Sequence, residues 1–458
     1  MTNPSLIKFV GTISPKLDES AIVQDPELIS PFVTDWTQRV KGSSDLLVRP
    51  RDHQDVVNVV KAAIQSQVKL QIQGGNTSLS GGSIPQDGEV LLSLSRMNSR
   101  CEVDPDTLVA KVDAGVTLER LQREAMKYHL TLGVDLASRG SATLGGMAAT
   151  NAGGLHVLRY GSMRSSVISL RCVWGDGTES PRNVPLIKDN SGISFSPLVV
   201  GSEGTLAVIT ELSLRLVPLL SSKAVAVVPF MSIPEALRFA GNIRRMTDSI
   251  SAIEMISKRA IQIVEELNGA SFPVKDPFEI VLLVEISTNG DASNELMRTL
   301  EESLDESQLQ STLFGMDLGS RAGLWSWRES VTEAIQRSGE PLKLDLSVPI
   351  AALGTLWQSI DTIQKDFAGR LEVVRFGHLG DGNIHVNLLG EEDILKRAEE
   401  AIYQRVAGLD GSITAEHGIG TLKKEFLGLV RSEGELARMR GLIELFNPGR
   451  TLNPNVLL

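Results

Sequence analysis

Residues 70–79 read LQIQGGNTSL, an apolar strand pattern that leads directly into two glycines and then into small amide and hydroxyl side chains. Glycine lets a backbone approach anionic oxygens closely because it has no Cβ atom. The backbone N–H groups of such a loop can surround a pyrophosphate, and the hydroxyls of Thr77 and Ser78 can donate further hydrogen bonds. A simple turn is the alternative role of the glycine pair.

The chain on either side of this loop predicts two domains. Apolar residues 46–48, a helical pattern beginning near Asp52 and the apolar stretch 68–72 have the order of a β-α-β unit. Asp52 can cap that helix at its N-terminus. Beyond Pro218, longer amphipathic stretches predict a second α+β domain. The predicted boundaries are 1–219 for the first domain (core about 40–219), 220–446 for the second, which closes with a helix over 434–446, and 447–458 for a tail.

Two further glycine-dense stretches follow the first loop. They read SATLGGMAATNAGG over 141–154 and GSEGTL over 201–206, and neither has the G-x-G-x-x-G spacing of a Rossmann dinucleotide site. In their order, QGGNTSLSGG, ATLGGMAATNAGG with LRYGS, and GSEGTLAVIT resemble the FAD-binding domain of the vanillyl-alcohol-oxidase and p-cresol-methylhydroxylase (PCMH) superfamily. The resemblance implies an α+β fold with two domains, a PCMH-type FAD-binding domain and a C-terminal α+β cap (substrate) domain.

The same resemblance implies which residues bind FAD. Some members of that superfamily attach FAD covalently through a histidine in the first loop, where this chain has Asn76, so noncovalent FAD is expected. Asp135 and Ser138 match positions that contact the flavin in related enzymes, and an Asx or Ser turn is their alternative role. The candidate cofactor-binding residues are Gly74, Gly75, Asn76, Thr77, Ser78, Leu79, Asp135, Ser138, Thr143, Gly145, Gly146, Asn151, Gly153, Gly154, Gly161, Glu203, Gly204 and Ile209.

The second half carries two histidine motifs, of which the first is GHLGDGNIH over 377–385. Asp-Gly between apolar residues predicts a two-residue hairpin turn. His378 would then pair directly with His385, with Cβ atoms about 4.5 to 5.5 Å apart. Asn387, two residues further on, points to the same face. Both imidazoles could then reach one metal ion, although two polar histidines on a solvated sheet face are the alternative.

The second motif is GSITAEHGIG over 411–420. Its glycines permit irregular backbone, which adjacent Glu416 and His417 need if both are to face one site. Two imidazoles and one carboxylate form a set of three ligands with an open position, as in a catalytic zinc site. Zinc is the first choice, and manganese and iron have the same ligand preferences.

The motifs GHLGDGNIH and AEHGIG resemble the C-terminal half of the FAD-dependent D-2-hydroxy-acid dehydrogenases. That family implies His378, His385 and Glu416 as metal ligands and His417 as the catalytic base. The stretch WRESVTEA over 327–334 with LKLDLSVP over 342–349 is most similar to the members that act on D-2-hydroxyglutarate. It implies Arg328, Thr332, Lys343, Asn387 and His417 as substrate-binding residues. Ordinary solvated charges are the alternative for Arg328 and Lys343.

The expected reaction is oxidation of a small 2-hydroxy diacid, D-2-hydroxyglutarate first and D-malate second, with a hydride passing to FAD. Three alternatives stay open: a D-lactate dehydrogenase or glycolate oxidase subunit, a catalytically silent flavin-binding subunit, and a metal-dependent hydrolase without flavin. Electron-transfer flavoprotein or a quinone is the expected electron acceptor, and a homodimer is the working expectation for assembly.

Composition restricts the other partners. A formal net charge of -11 in 458 residues argues against nucleic acid or an anionic membrane, because both need a basic face. Cys101 and Cys172 are too few for a disulfide framework. The chain contains no apolar run of membrane-spanning length and no signal-peptide pattern. A soluble protein of the cytoplasm is expected, with an organelle matrix as the alternative.

Overall fold

The computed structural model describes residues 3–180 and 183–458. It forms two compact units. The first unit consists of Met1–Gly154, Tyr160–Leu219 and Glu416–Leu458, and the second consists of Leu155–Arg159 and Leu220–Ala415.

In chain order, the helices and strands up to residue 219 are α1 (Pro4–Ile13), β1 (Ile22–Val23), α2 (Pro26–Ile29), β2 (Leu47–Val48), α3 (His53–Ser66), β3 (Leu70–Gln73), β4 (Val90–Ser93), β5 (Cys101–Asp104), β6 (Val109–Asp113), α4 (Leu118–Met126), β7 (Leu130–Thr131), α5 (Leu144–Thr150), α6 (Val157–Tyr160), α7 (Met163–Ser166), β8 (Val167–Trp174), α8 (Ser196–Val199), β9 (Ala207–Arg215) and β10 (Val217–Pro218). From residue 220 onward they are β11 (Ser222–Phe230), α9 (Ile233–Met246), β12 (Ile250–Ser257), α10 (Lys258–Asn268), β13 (Ile280–Thr288), α11 (Ala292–Glu301), α12 (Glu306–Ser311), β14 (Leu313–Gly315), α13 (Leu318–Ser338), β15 (Leu342–Ser347), α14 (Leu353–Asp366), β16 (Leu371–His378), β17 (Asn383–Gly390), α15 (Glu392–Ala407), α16 (Leu427–Val430) and α17 (Glu433–Phe446).

The first unit contains the predicted β-α-β unit, formed by β2, α3 and β3. The Asp52 side chain caps α3 by accepting a hydrogen bond from the backbone N–H of Asp55 at 2.9 Å. The two strands are not neighbours, since β4 lies between them and runs parallel to both. The chain therefore leaves β3 through the loop 74–79 at the carboxyl end of a parallel strand pair, where α/β folds commonly bind ligands.

A second sheet of the first unit has the order β5-β6-β9-β8 and is antiparallel. Apolar side chains of α1, α3, α5 and both sheets share one core with Ile443 of α17 and Leu452. The backbone N–H of Leu70 in β3 donates to the carbonyl of Thr451 at 2.8 Å. The sequence assigned residues 416–446 to the second domain and 447–458 to a tail, whereas this packing places both in the first unit.

The second unit is built on a sheet of seven strands in the order β14-β11-β13-β12-β16-β17-β15, with every neighbouring pair antiparallel. Helices α10 and α13 cover one face, where their apolar side chains pack on Val281, Leu283 and Val374. Within the described part of the chain, no helix combines the length and the apolar character needed to cross a bilayer.

Candidate active site

The three glycine motifs lie together in the first unit. A Cβ on Gly75 would lie 1.9 Å from the carbonyl oxygen of Ser141, so the first and second motifs approach as closely as only glycine allows. The third motif joins them, because the backbone N–H of Glu203 donates to the carbonyl of Ala149 at 2.8 Å. The second of the three loops predicted to bind FAD therefore contacts both of the others.

Several of the predicted cofactor-binding side chains shape these loops. Asn76 has a left-handed φ of 52°, its amide nitrogen donates to the carbonyl of Thr34, and its amide oxygen accepts from Ser83. Thr143 caps the N-terminus of α5, and Asn151 terminates the helix in a left-handed conformation. With these side chains engaged, the backbone N–H groups of the loops are the donors that suit a pyrophosphate.

The other predicted cofactor-binding residues also lie in the first unit. Asp135 accepts a hydrogen bond from the backbone N–H of its neighbour Leu136 and pairs with Arg139 at 3.1 Å. Ser138 is exposed, and its carbonyl accepts hydrogen bonds from Ser141 and Ala142. Ile209 is a core residue of β9. The remaining residues of this set are Gly74, Thr77, Ser78, Leu79, Gly145, Gly146, Gly153, Gly154, Gly161 and Gly204.

Glu203 has a role that its motif did not indicate. Its half-buried carboxylate accepts hydrogen bonds from the backbone N–H groups of Ile419 and Gly420 at 2.8 and 2.7 Å. Burial raises the pKa of this carboxyl, although the two N–H groups and Lys423 oppose the increase. Ser80 holds the same segment, because its hydroxyl donates to the carbonyl of His417 at 3.0 Å. The loop that follows the predicted base is therefore fixed to the first and third glycine motifs.

In the second unit, the hairpin that carries two histidines has a different register from the one predicted. His385 pairs with Phe376 rather than with His378, so the connection consists of residues 379–382 and not of Asp381 and Gly382 alone. Two successive turns form it, since the N–H groups of Asp381 and Gly382 donate to the carbonyls of His378 and Leu379. Asp-Gly is a turn signal, but the surrounding hydrogen bonds decided the turn's length.

The register difference still keeps both imidazoles on one face. Strand side chains alternate with a period of two, so a displacement of two residues preserves the face. The ring centroids of His378 and His385 are 5.3 Å apart with nearly perpendicular planes. The expectation that the two histidines meet is confirmed, although by a diagonal contact rather than by a direct pair.

Each of these histidines is joined to a buried carboxylate through Nδ1. His378 Nδ1 lies 2.6 Å from Oε1 of Glu254 on β12, and His385 Nδ1 lies 3.5 Å from Oδ1 of Asp345 on β15. A carboxylate at Nδ1 favours the tautomer with the proton on Nδ1, which leaves the Nε2 lone pair for a metal. Burial alone would raise the pKa of Glu254, but His378 and Arg328 lower it below its ordinary value.

The predicted metal ligands come from two parts of the chain. His378 and His385 lie in the second unit, whereas Glu416 and His417 lie in the segment that belongs to the first unit. Glu416 follows Ala415, whose backbone N–H donates to Asp345 at 3.1 Å, so the strand β15 fixes the chain immediately before it. Two imidazoles with a carboxylate suit zinc, manganese or iron.

The predicted substrate-binding residues of the second unit lie on three elements. Arg328 on α13 is buried, its Nε and Nη2 contact Oε2 of Glu254 at 2.8 Å, and its guanidinium lies over the Phe376 ring. Lys343 on β15 is opposite Asn387 on β17. Thr332 lies one helical turn after Arg328 and is exposed. The ordinary solvated charge weighed for Arg328 is therefore wrong, because its side chain is buried in an ion pair.

Sequence reasoning missed Glu254 and Asp345. Both are single acidic residues in otherwise apolar strands, ISAIEMIS and LKLDLS. The available signal was the residue type, because an acidic residue is almost never fully buried unless it has a partner. The partners, however, come from residues far away in the chain.

Comparison with known proteins matches both halves of the chain to FAD-dependent proteins. Residues 44–180 match the model of an FAD binding domain, and residues 219–457 match that of the C-terminal domain of FAD linked oxidases. The D-2-hydroxyglutarate dehydrogenase of Bos taurus mitochondria is 36% identical over 95% of this chain and 81% of its own length. The D-2-hydroxyglutarate dehydrogenase of Xanthomonas citri pv. viticola is 32% identical over 100% of this chain and 97% of its own. A solved structure of alkyldihydroxyacetonephosphate synthase shares the fold, with a TM-score of 0.75 at 19% identity over 98% of this chain and 84% of that one.

Proposed function

This chain belongs to the family of FAD-linked oxidases, and from that premise we propose that it oxidises D-2-hydroxyglutarate to the 2-oxo acid. The observation that carries the proposal is the pair His378 and His385, each with a buried carboxylate at Nδ1, in a chain that matches D-2-hydroxyglutarate dehydrogenases over nearly its whole length. D-Malate, a shorter 2-hydroxy diacid, is the second candidate substrate.

The chain's own residues fit both cofactors. Buried carboxylates at Nδ1 are the usual outer partners of metal-binding histidines, which supports His378, His385 and Glu416 as ligands of a divalent ion, zinc first. The glycine motifs offer backbone donors to FAD, and the amide Asn76 in the first loop supports noncovalent binding. When bound, the ion supplies Lewis-acid polarisation of a hydroxyl and FAD supplies a hydride acceptor.

The proposed roles of the side chains follow. His417 accepts the proton of the substrate's C2 hydroxyl at an imidazole nitrogen. Arg328 and Lys343 donate charge-assisted hydrogen bonds to the substrate carboxylates, and Thr332 and Asn387 donate neutral ones. Because Arg328 is held by Glu254 and by Phe376, it meets a carboxylate in a fixed direction with little loss of side-chain freedom.

A D-lactate dehydrogenase or a glycolate oxidase subunit is the alternative within the family. Two cations, Arg328 and Lys343, favour a substrate with a second carboxylate. A catalytically silent flavin-binding subunit is disfavoured by the presence of His378, His385, Glu416 and His417. Electron-transfer flavoprotein or a quinone is the proposed acceptor and a homodimer the proposed assembly. The proposed location is the cytoplasm, with an organelle matrix as the alternative that the bovine mitochondrial relative favours.

Anaerobic bleaching of the flavin absorbance tests the proposal. D-2-Hydroxyglutarate, D-malate, D-lactate and glycolate are added in turn, with and without a chelator. The proposal expects rapid bleaching by D-2-hydroxyglutarate that the chelator abolishes. Preference for D-lactate or glycolate would contradict the diacid assignment, and bleaching that resists the chelator would contradict the role of the metal. A colourless purified protein would favour a hydrolase without flavin.

A further inference from the structure

Glu254 is a buried carboxylate that connects two functional groups within the second unit. It is 1% exposed and lies on β12, directly opposite His378 on β16. Its Oε1 contacts Nδ1 of His378 at 2.6 Å, while its Oε2 contacts Nε and Nη2 of Arg328 at 2.8 Å. One side chain therefore holds a predicted metal ligand with one oxygen and a predicted substrate-binding cation with the other.

A second contact completes this arrangement. The guanidinium carbon of Arg328 lies 4.5 Å from the ring centroid of Phe376, and that ring lies 5.0 Å from the ring of His385. Phe376 precedes His378 by two residues on β16 and shares its face. Arg328 thus has its charge balanced by Glu254 and its plane supported by an aromatic ring, and the Glu254 bonds leave Nη1 for another partner.

We propose that Glu254 is a positioning residue that sets, in a single side chain, the ligand tautomer of His378 and the direction in which Arg328 meets a substrate carboxylate. The inference rests on the proposed function and goes beyond it, because it makes metal affinity and substrate binding depend on one residue. Asp345 contacts His385 in a comparable way, and it also accepts hydrogen bonds from Asn383 and from the backbone N–H of Ala415.

The chemistry of an amide explains why Glu254→Gln is an informative change. Glutamine has nearly the same volume but only one acceptor oxygen. If its NH2 group faces Arg328, two donors oppose each other and the guanidinium must move. If the NH2 group faces His378, Nδ1 must accept, so the proton moves to Nε2 and the lone pair that a metal needs is lost. Metal binding is weakened in either orientation, because even an amide oxygen at Nδ1 is neutral and raises the basicity of the imidazole less than a carboxylate does.

Glu285 provides a matched control. It is also buried, at 5% exposure, and lies on β13, which is paired with β12 in the same sheet. Its partners are Lys223, Trp325, Ser287 and His156, none of which is a predicted metal ligand. Glu285→Gln therefore removes a buried carboxylate from this sheet without touching His378 or Arg328.

The experiment measures metal affinity in the full-length protein with its FAD bound. After metal removal, Zn²⁺ and then Mn²⁺ are titrated against a competing chelator in wild type, Glu254→Gln and Glu285→Gln. We expect Glu254→Gln to raise the Kd for the metal by about 10- to 100-fold, as for other outer-shell partners, and Glu285→Gln to leave it within about threefold. Thermal unfolding in chelator reports the general destabilisation that each substitution causes.

The double variant Glu254→Gln with Arg328→Met covers the case in which an unbalanced Arg328 prevents folding. We expect it to fold with the same weakened metal binding, since the carboxylate that faced His378 is still absent. Equal metal affinity in wild type and both Glu254 variants would overturn the proposal, as would equal weakening by Glu285→Gln. Because no substrate is present, a wrong substrate assignment leaves these results unchanged, whereas a wild-type chain that binds neither ion contradicts the metal site itself.

Discussion

The carboxylate of Glu203 accepts the backbone N–H of Gly420 at 2.7 Å across 217 residues of sequence. Gly420 has a left-handed φ of 57° and lies three residues after His417, the proposed base. A glutamate from the third glycine motif thus holds the segment that presents a catalytic side chain.

Replacing Glu203 by alanine is expected to loosen that segment. The change leaves two buried N–H groups without a partner, each at a cost of about 1–3 kcal/mol. Amide hydrogen exchange at Ile419 and Gly420 should accelerate and turnover should fall. Glu179→Ala is the control, because Glu179 is partly exposed and contacts His53 instead. Unchanged exchange at these two amides would contradict the role of Glu203.

Replacing His417 by alanine should lower turnover by about 10²- to 10⁴-fold, the usual contribution of a general base. FAD should stay bound, since the Glu203 and Ser80 contacts with this segment reach backbone atoms. The exposed His129 in the first unit provides the control, and its alanine variant should match wild type. Single-turnover flavin reduction makes the comparison; equal rates would remove His417 from the mechanism.

Replacing Gly75 by alanine should separate the first and second glycine motifs. The new Cβ would meet the Ser141 carbonyl oxygen at 1.9 Å, so the backbone of one loop must move. We expect weaker FAD binding, measured by the flavin retained after gel filtration. Gly11→Ala in α1, where nothing lies within 4 Å, should keep FAD and stabilise the fold by up to about 1 kcal/mol. Full flavin retention in Gly75→Ala would show that the loops do not need this approach.

The contribution of Glu285 to the stability of the second unit should be lost in acid. Burial raises the pKa of its carboxyl, but contacts with His156, Lys223 and Trp325 outweigh that effect and bring the pKa to about 2. A carboxyl group with a depressed pKa stabilises the fold at pH values above its ordinary pKa of 4.5, and that stabilisation is lost as the pH falls toward 2. The difference corresponds to roughly 3 kcal/mol. Urea unfolding of wild type and Glu285→Gln should therefore converge between pH 4.5 and 2, and parallel curves would contradict the linkage.

The sequence by itself determined the local elements and the chemical inventory. The apolar periodicity predicted the β-α-β unit around α3, and the helix predicted over residues 434–446 is α17. The glycine motifs and the first histidine motif identified residues that lie close together in the structure. They could do so because each motif spans only a few residues. They also led to the FAD-linked oxidase family, which the matches confirm.

Tertiary structure decided the partners of those residues and the register. The hairpin connection took four residues, 379–382, because hydrogen bonds to neighbouring segments outweighed the local preference of Asp-Gly. Glu254, Asp345 and Glu203 acquired their roles from residues between 40 and 217 positions away. Sequence patterns report short-range preferences, whereas a carboxylate inside the protein is explained only by the charges and N–H groups that folding brings to it. The motifs therefore predicted the ligands, and only the fold revealed the residues that hold them in place.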